Sequence, residues 1–541
     1  MFELSLPDGP DIAWRVVRLQ GTEALSAPFE LLVDLTTEEL TADYDAMLGA
    51  TCELMFDRIG AVRTVYGIID EVRAVMSAES GVSDAVLAVR VRIVPAFKLL
   101  DQQVDTRFFA GQTVVEIVRD VLTPALELYG RTIDVTSSIK GTYNKRDYCV
   151  QFRESTFAFC SRILEEEGIA YHFVGDDDER KEKLVLIDNN ANYGPVDLVR
   201  GDDIPIVLSR FDELDRESLQ GFDWRAARTP NHVSTRGYNL KVPTPPDEGE
   251  AVRTDSNDAI VREQYFDDDI RQIVDDPVGD PEAQSFTGAD LAQRQPLAKR
   301  RLERHNLDAS VGFGHGNAIG FAAGVTFTLG HHPREKLEHH QFLLISVRYE
   351  GAAGEGGTAD GNYSNTFECI PIENEFRPAL RTRRPRVHGI QTGVVVGRAK
   401  EEIHTDKYGR IRVKFHRDRY SDNDEHASCW MRVAQVWAGS GFGGIVIPRV
   451  GMEVVVSFVD GNPDCPIVTG CVYDGTNMPP YPLPAEKTKS TFKTSTSPIK
   501  KDGFNELRFE DASGHEQVFI HAQRRMDMRI RGSLYETCGG N

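Results

Sequence analysis

Cysteine is scarce. Eight residues in 541, at 52, 149, 160, 369, 429, 465, 471 and 538, are too scattered to frame a disulfide scaffold. They are expected as reduced thiols, most of them packed in cores, including Cys465 and Cys471, which could face each other across a hairpin. Long apolar runs are missing: no window approaches the roughly eighteen residues of a membrane-spanning helix. Residues 1–14 have neither a basic nor an apolar leader region, so no signal peptide is expected. Positive charge is in deficit, with 62 Lys and Arg against 84 Asp and Glu and a net charge of −22. That balance argues against a general binder of phosphate backbones and reads as solubility. Catalytic signatures are absent too: there is no HExxH, no GxSxG and no Walker A sequence.

What is present is strand-and-turn grammar in a globular composition, 40% hydrophobic and 27% charged, long enough for about three or four domains. The densest block is 387–481. An apolar run lies between Gly393 and Gly397. Ile411, Val413 and Phe415 alternate with Arg410, Arg412, Lys414 and His416, the period-2 mark of a half-buried strand. Residues 430–437 and 450–459 read as further strands, the latter closed by the turn Asp460-Gly461-Asn462-Pro463, and 467–473 pairs back across it. Five short strands without a helical period predict a small closed β-barrel of OB type.

Residues 1–100 also read as β, with strands at 14–19, 29–35, 52–56, 62–76 and 88–94 forming a barrel or sandwich. The stretch 101–205 is α+β. Thr113 caps a helix whose apolar residues fall at Val114, Val115, Ile117, Val118, Val121 and Leu122, with Pro124 interrupting it. A strand at 148–152 leads into a second helix, capped by Ser155 and stopped by Gly168, with Phe159, Ile163 and Leu164 inward and Glu165–Glu167 in solvent. Residues 243–290 read as an acidic, solvated loop, followed by a helix near 289–305. Within 206–380, strands at 320–328, 341–350 and 365–371 make a second β region. A proline-rich linker follows Met478, 487–501 is polar, and 506–509 and 517–521 form a hairpin around Asp511-Ala512-Ser513-Gly514. The end, with nothing of its own to pack against, predicts a chain that continues or packs on other subunits.

Candidate chemistry has bland readings beside it. Gly312, Gly314 and Gly316 form a GxGxG without a βαβ unit around it. His331, His332, His339 and His340 could ligate a metal, but adjacent loop histidines are expected to be solvated. Asp422-Asn423-Asp424 reads as a surface turn. Arg410, Arg412 and Lys414 with Trp430 and Trp437 could hold a single strand of nucleic acid, yet Asp418, Asp422, Asp424 and Glu425 lie close by and oppose it. No metal, cofactor or nucleic acid is expected.

Three blocks carry a family likeness. The first is Tyr148-Cys-Val-Gln-Phe-Arg-Glu-Ser through Leu164-Glu-Glu-Glu-Gly-Ile. The second runs from Glu401-Glu-Ile-His-Thr-Asp-Lys-Tyr-Gly-Arg through Ser428-Cys-Trp-Met-Arg-Val-Ala-Gln and Ile447-Pro-Arg-Val-Gly-Met-Glu-Val to Asn462-Pro-Asp-Cys-Pro-Ile-Val-Thr-Gly. The third is Phe504-Asn-Glu-Leu-Arg-Phe-Glu-Asp with Ile520-His-Ala-Gln. Together they resemble VgrG, the spike of bacterial type VI secretion systems. Arg417 departs from the tryptophan usual in the family, and 243–290 matches nothing in it.

The resemblance implies a mainly β fold with α+β insertions. A phage tail-hub-like base with two barrel-type domains spans 1–380, an OB-fold collar 387–481, and the truncated start of a trimeric β-helix needle 487–541. It also implies a homotrimer that caps the hexameric Hcp tube, punctures a membrane and carries effectors. Its partners would be a PAAR-type tip protein, on a needle end missing here, and the baseplate. Assembly would be cytoplasmic, followed by export through the apparatus. A phage tail hub and a secreted effector enzyme are the alternatives. Contacts between chains are expected at Trp430, Arg432, Trp437, Pro448, Gly451, Gly461, Asn505, Glu506 and Phe509, with the tryptophans in packing.

Overall fold

The strand Arg15–Ala24 bonds on one side to Ala27–Thr37, its hairpin neighbour, and on the other to Gln341–Ala352, more than 300 positions away. This pairing fuses the two β regions into one sheet, in a computed structural model that describes residues 2–58, 60–74, 87–199, 201–207, 217–238, 240, 247–253, 260–267, 294–354, 362–499 and 503–540. The chain divides into two units. One comprises the residues up to Arg386 with Asn462–Asp464, the other Val387–Gly461 with Cys465–Asn541.

In the first unit the sheet runs, edge to edge, Phe2–Ser5, Thr51–Arg58, Ala61–Ala74, Leu87–Val94, Ala27–Thr37, Arg15–Ala24, Gln341–Ala352, Asn362–Pro371, Ser310–Gly316 and Leu219–Ala226. Period-2 alternation sends Leu31, Val33 and Leu35 into one core with Val89, Val91 and Ile93 opposite them, and with Phe327, Phe342 and Phe367 from the later strands. At the fused seam Gly21 lies across from Tyr349, and a Cβ there would stand 2.3 Å from the ring. The Tyr349 hydroxyl donates to Glu23 at 2.9 Å, and Arg63 pairs with the same carboxylate. The GxGxG lies in Ser310–Gly316, where Gly314 makes room for the Phe367 ring.

Against this sheet sits the α+β segment with its own core. Thr113 caps the helix Val114–Glu127 as expected, in a reciprocal box with Glu116. Pro124 does not end that helix. A proline inside a helix costs about 3 kcal/mol through the lost hydrogen bond and the ring's clash with the preceding turn, but Val121, Leu122, Ala125 and Leu126 remain buried on the same face and hold the last turn.

Ser155 and Gly168 bound the helix Thr156–Glu167. The expectation that Glu165–Glu167 face solvent is wrong for two of the three and incomplete for the third. Glu166 and Glu167 are 8% and 2% exposed. Arg146 reaches both, at 2.7 and 3.0 Å, Arg162 reaches Glu166 and Glu154, and Arg300 reaches Glu167 at 2.8 Å. The run also holds the basic connector. Glu165 accepts from the Arg381 and Thr382 amides at 2.9 Å, and Arg384 donates to Glu166 at 2.7 Å. Burial alone would raise the Glu166 carboxyl, but Arg384, then Arg146 and Arg162, hold it well below the usual carboxylate range.

Much of 243–290 lies outside the described residues, as do the start of the helix expected at 289–305 and positions 75 and 76. What is described corrects the loop reading. Asp247–Val252 and Glu263–Asp267 flank His232–Gly237 in a three-stranded sheet, and the helix Arg294–Leu307 packs Ala298 and Leu302 against Val233.

The second unit opens with five strands in the order Arg412–Phe415, Gln391–Val396, Glu453–Phe458, Pro466–Val472 and Arg432–Val433. A bridge from Ile411 to Met431 joins the first strand's side to the last, closing an OB-type barrel around Val395, Val413, Met431, Val454 and Val468. Cys465 and Cys471 do not face each other across the hairpin, since both belong to its second arm; all eight cysteines are free. A three-stranded antiparallel sheet of Lys489–Lys493, Glu506–Glu510 and Gln517–His521 follows, its last two strands forming the expected hairpin.

Candidate assembly interface

The three-stranded sheet of the second unit has two chemically distinct faces. Registration places Phe492 beside Leu507 and Leu507 beside Ile520, and likewise Phe509 beside Val518. Residues two apart share a face, so all five side chains form one apolar surface, and each is 42–66% exposed. Covering it would contribute on the order of 5 kcal/mol per chain at about 1 kcal/mol for each half-exposed side chain. The opposite face is polar and occupied. Tyr481, from the proline-rich linker, donates to Glu506 and accepts from Arg508 at 2.7 Å, with Lys489 4.7 Å above its ring. Thr491 adds a 2.8 Å bond to Glu506. The linker is therefore pinned to one side of the sheet while the other side stays open. No strand at 489–493 is legible in the sequence, because Lys-Ser-Thr-Phe-Lys alternates too weakly.

A second apolar surface rises from the barrel. Trp437–Gly439 pairs with Phe442–Gly444 in a two-stranded hairpin separate from the barrel sheet. Val436, Trp437, Phe442, Ile445 and Val446 are 98, 66, 59, 73 and 55% exposed. Trp437 therefore does not pack in a core, contrary to expectation. Trp430 does: it is buried, stacked on His404 at 5.0 Å, with the Arg412 guanidinium 4.7 Å from its ring.

Burial of Arg410 and Arg412 is a second correction to the alternating-strand reading. Arg410 pairs with Asp406 at 2.6 Å, Arg412 donates to the Ser428 carbonyl at 2.6 Å, and Lys414 donates to the Ser421 carbonyl. These three cations serve the barrel's own loops. Of the other expected contact residues, Arg432 begins the last barrel strand, Pro448 is buried, and the Gly451 amide donates to Val395. Gly461 accepts from the Val387 amide in the turn, and Asn505 exchanges bonds with Thr494. Glu506 is buried under Tyr481, and Phe509 lies on the open apolar face.

The histidine loop does not converge. His339 faces Asp203 at 3.6 Å, His340 bonds Glu373 at 3.1 Å, and His332 accepts from the Arg334 amide. Among the described residues, ligand atoms gather only at Asp424, Glu425 and His426, within 4.8 Å of one another. There Asp424 already accepts the His426 amide at 2.8 Å, the geometry of a surface turn.

Three family models match in sequence: the phage tail baseplate hub over residues 22–355, the type VI secretion system/phage-baseplate injector OB domain over 391–473, and the bacteriophage T4 gp5 C-terminal trimerisation domain over 490–541. The type VI secretion system spike protein VgrG4b of Pseudomonas aeruginosa is 35% identical over 98% of this chain and 63% of its own length. The chain thus spans less than two thirds of that relative. VgrG1a of the same organism is 32% identical over 100% of the chain and 80% of its own length. The actin cross-linking toxin VgrG1 of Vibrio cholerae is 32% identical over 94% of the chain, a match that takes in 43% of the toxin. In structure, an E. coli type VI secretion component described as similar to the T4 tail proteins gp27 and gp5 aligns over 87% of this chain and 100% of its own. The TM-score is 0.58 at 20% identity, a likeness of fold. The hub, the OB barrel and the trimerisation segment follow one another along this chain, and with relatives 32–35% identical over nearly its whole length, the chain belongs to the VgrG family of type VI secretion system spike proteins.

Proposed function

We propose that the chain is the homotrimeric spike of a type VI secretion system. It caps the Hcp tube, is driven through the target membrane by sheath contraction, and carries effectors and a PAAR-type tip. The observation that carries this reading is the open apolar face of Phe492, Leu507, Phe509, Val518 and Ile520, which lies in the stretch matching the trimerisation domain. A single chain exposes that face to water, whereas three chains around an axis bury it against each other. The work is mechanical: Arg410, Arg412 and Lys414 are spent inside the barrel, and of the loop histidines His339 and His340 face different carboxylates while His332 accepts a backbone amide. Assembly takes place in the bacterial cytoplasm, with export through the apparatus itself. No helix among the described residues is long and apolar enough to cross a membrane. The hub of a phage tail or related injection particle is the second reading, favoured by the phage descriptions of the hub and trimerisation models.

Light scattering on the purified chain, followed by capture on immobilised tube protein, tests the proposal. A trimer that binds the tube supports it. A chain that remains monomeric at every concentration, and does so when extended to the length of its relatives, overturns it.

A further inference from the structure

Between Arg432 and Arg449 the chain carries sixteen consecutive residues, Val433 to Pro448, without one charged or histidine side chain, in a protein that is 27% charged. The centre of this stretch is the hairpin of Trp437–Gly439 and Phe442–Gly444. It is held rigidly at its base, where the Val446 amide donates to the Gln435 side chain at 2.9 Å and Gln435 donates back to the Val446 carbonyl at 3.1 Å. Along its length the Trp437 and Phe442 rings meet edge to face at 5.4 Å. A two-stranded hairpin alone is marginal in water, and one that exposes Val436, Trp437, Phe442, Ile445 and Val446 by more than half each would be an aggregation liability if left uncovered.

We infer that this hairpin is an arm that grips the neighbouring chain of the same spike. The inference rests on the homotrimer reading and adds a second, separate contact to it. The occupant follows from position and charge. The arm belongs to the same unit as the segment matching a trimerisation domain, so the copies that segment gathers are the surfaces nearest at hand. Its uncharged length fits an apolar patch and has nothing to offer a charged one. Three-fold assembly makes such a contact heterologous, so the arm needs a different patch on the next chain. Val472, Tyr473 and Met478 of the same unit, 40, 65 and 70% exposed, are apolar side chains open to such a contact.

The test uses the full chain, its Trp437→Phe variant and the double variant Trp437→Glu/Phe442→Glu. Subtracting acrylamide quenching of Trp437→Phe from that of the wild type isolates Trp437. In the trimer it should be shielded at least threefold relative to free tryptophan, and the shielding should vanish on dilution to monomer. The double variant should need at least tenfold more protein to trimerise, measured by light scattering. A wild-type trimer whose Trp437 is quenched like free tryptophan overturns the arm and leaves the spike reading standing. So does shielding that appears only when tube protein is added, which would give the surface to the tube. A wild type that never trimerises, even when extended to the length of its relatives, overturns both.

Discussion

Replacing Glu166 by alanine should destabilise the first unit by far more than a helix-surface glutamate would. Its carboxylate serves three guanidiniums, Arg384 at 2.7 Å, Arg146 at 2.7 Å and Arg162 at 3.3 Å, and is itself 8% exposed. Glu154, Glu167 and the nearby Asp464 remain in the variant, but the one carboxylate that all three guanidiniums contact directly is lost. Breaking a buried pair by removing one partner costs about 3–5 kcal/mol. At about 2.1 cal/mol/K per residue, a unit of roughly 380 residues has an unfolding entropy near 0.8 kcal/mol/K, so the first calorimetric transition should fall by about 4–6 °C. The pH dependence adds a second check. The folded-state carboxyl is depressed below its unfolded value, so its stabilisation is fully present above the unfolded pKa of about 4.3 and is lost as pH falls toward the folded one. The gap between wild type and Glu166→Gln should therefore be constant from pH 7 to 5 and shrink only below about pH 4. A transition within 1 °C of wild type for Glu166→Ala, or a gap that closes between pH 7 and 5, would refute the reasoning.

Three further outcomes are expected. Gly21→Val should lower the same transition by about 1–3 kcal/mol equivalent, because the new side chain enters the Tyr349 ring at the seam; Gly194→Ala, with open space around it and no left-handed backbone, is the control for a general glycine effect. Gly461→Val should loosen the barrel hairpin by about 1–3 kcal/mol, since φ is +72° there, visible as faster amide exchange at Val387, which donates to the Gly461 carbonyl. Of the eight thiols, only Cys538 and Cys471 should react with a thiol reagent in the native state. Cys471 should react more slowly because burial raises its pKa, while burial pushes Cys149 up to about 12 and keeps it inert; six or more fast thiols would contradict the packing.

The local grammar was legible because it acts over a few residues. Thr113 and Ser155 as N-caps, Gly168 as a stop and Asp460-Gly461 as a turn each act on neighbours within a few positions, and the structure has them there. Buried charge was not legible. Glu165–Glu167 look solvated by themselves, and their partners Arg300 and Arg384 stand 133 and 218 positions away. Arg412 reads as the wet side of a strand until Trp430 is brought over it. The apolar face of the three-stranded sheet could be suspected at Phe509, but its extent depends on a register that only pairing sets.

The fused seam has a consequence for biosynthesis. When Arg15–Ala24 leaves the ribosome it can bond to Ala27–Thr37 at once, but its other edge waits for Gln341–Ala352. At about 5–20 residues per second the intervening 316 residues, 25 to 340, take roughly 15–60 s to synthesise. Through that interval a row of unpaired amides and carbonyls faces the cytosol on the growing chain. A stalled or early-released polypeptide ending before Gln341 would carry an open strand edge with no later segment to close it, and pulse-chase capture by chaperones should cease once the chain has grown past Ala352.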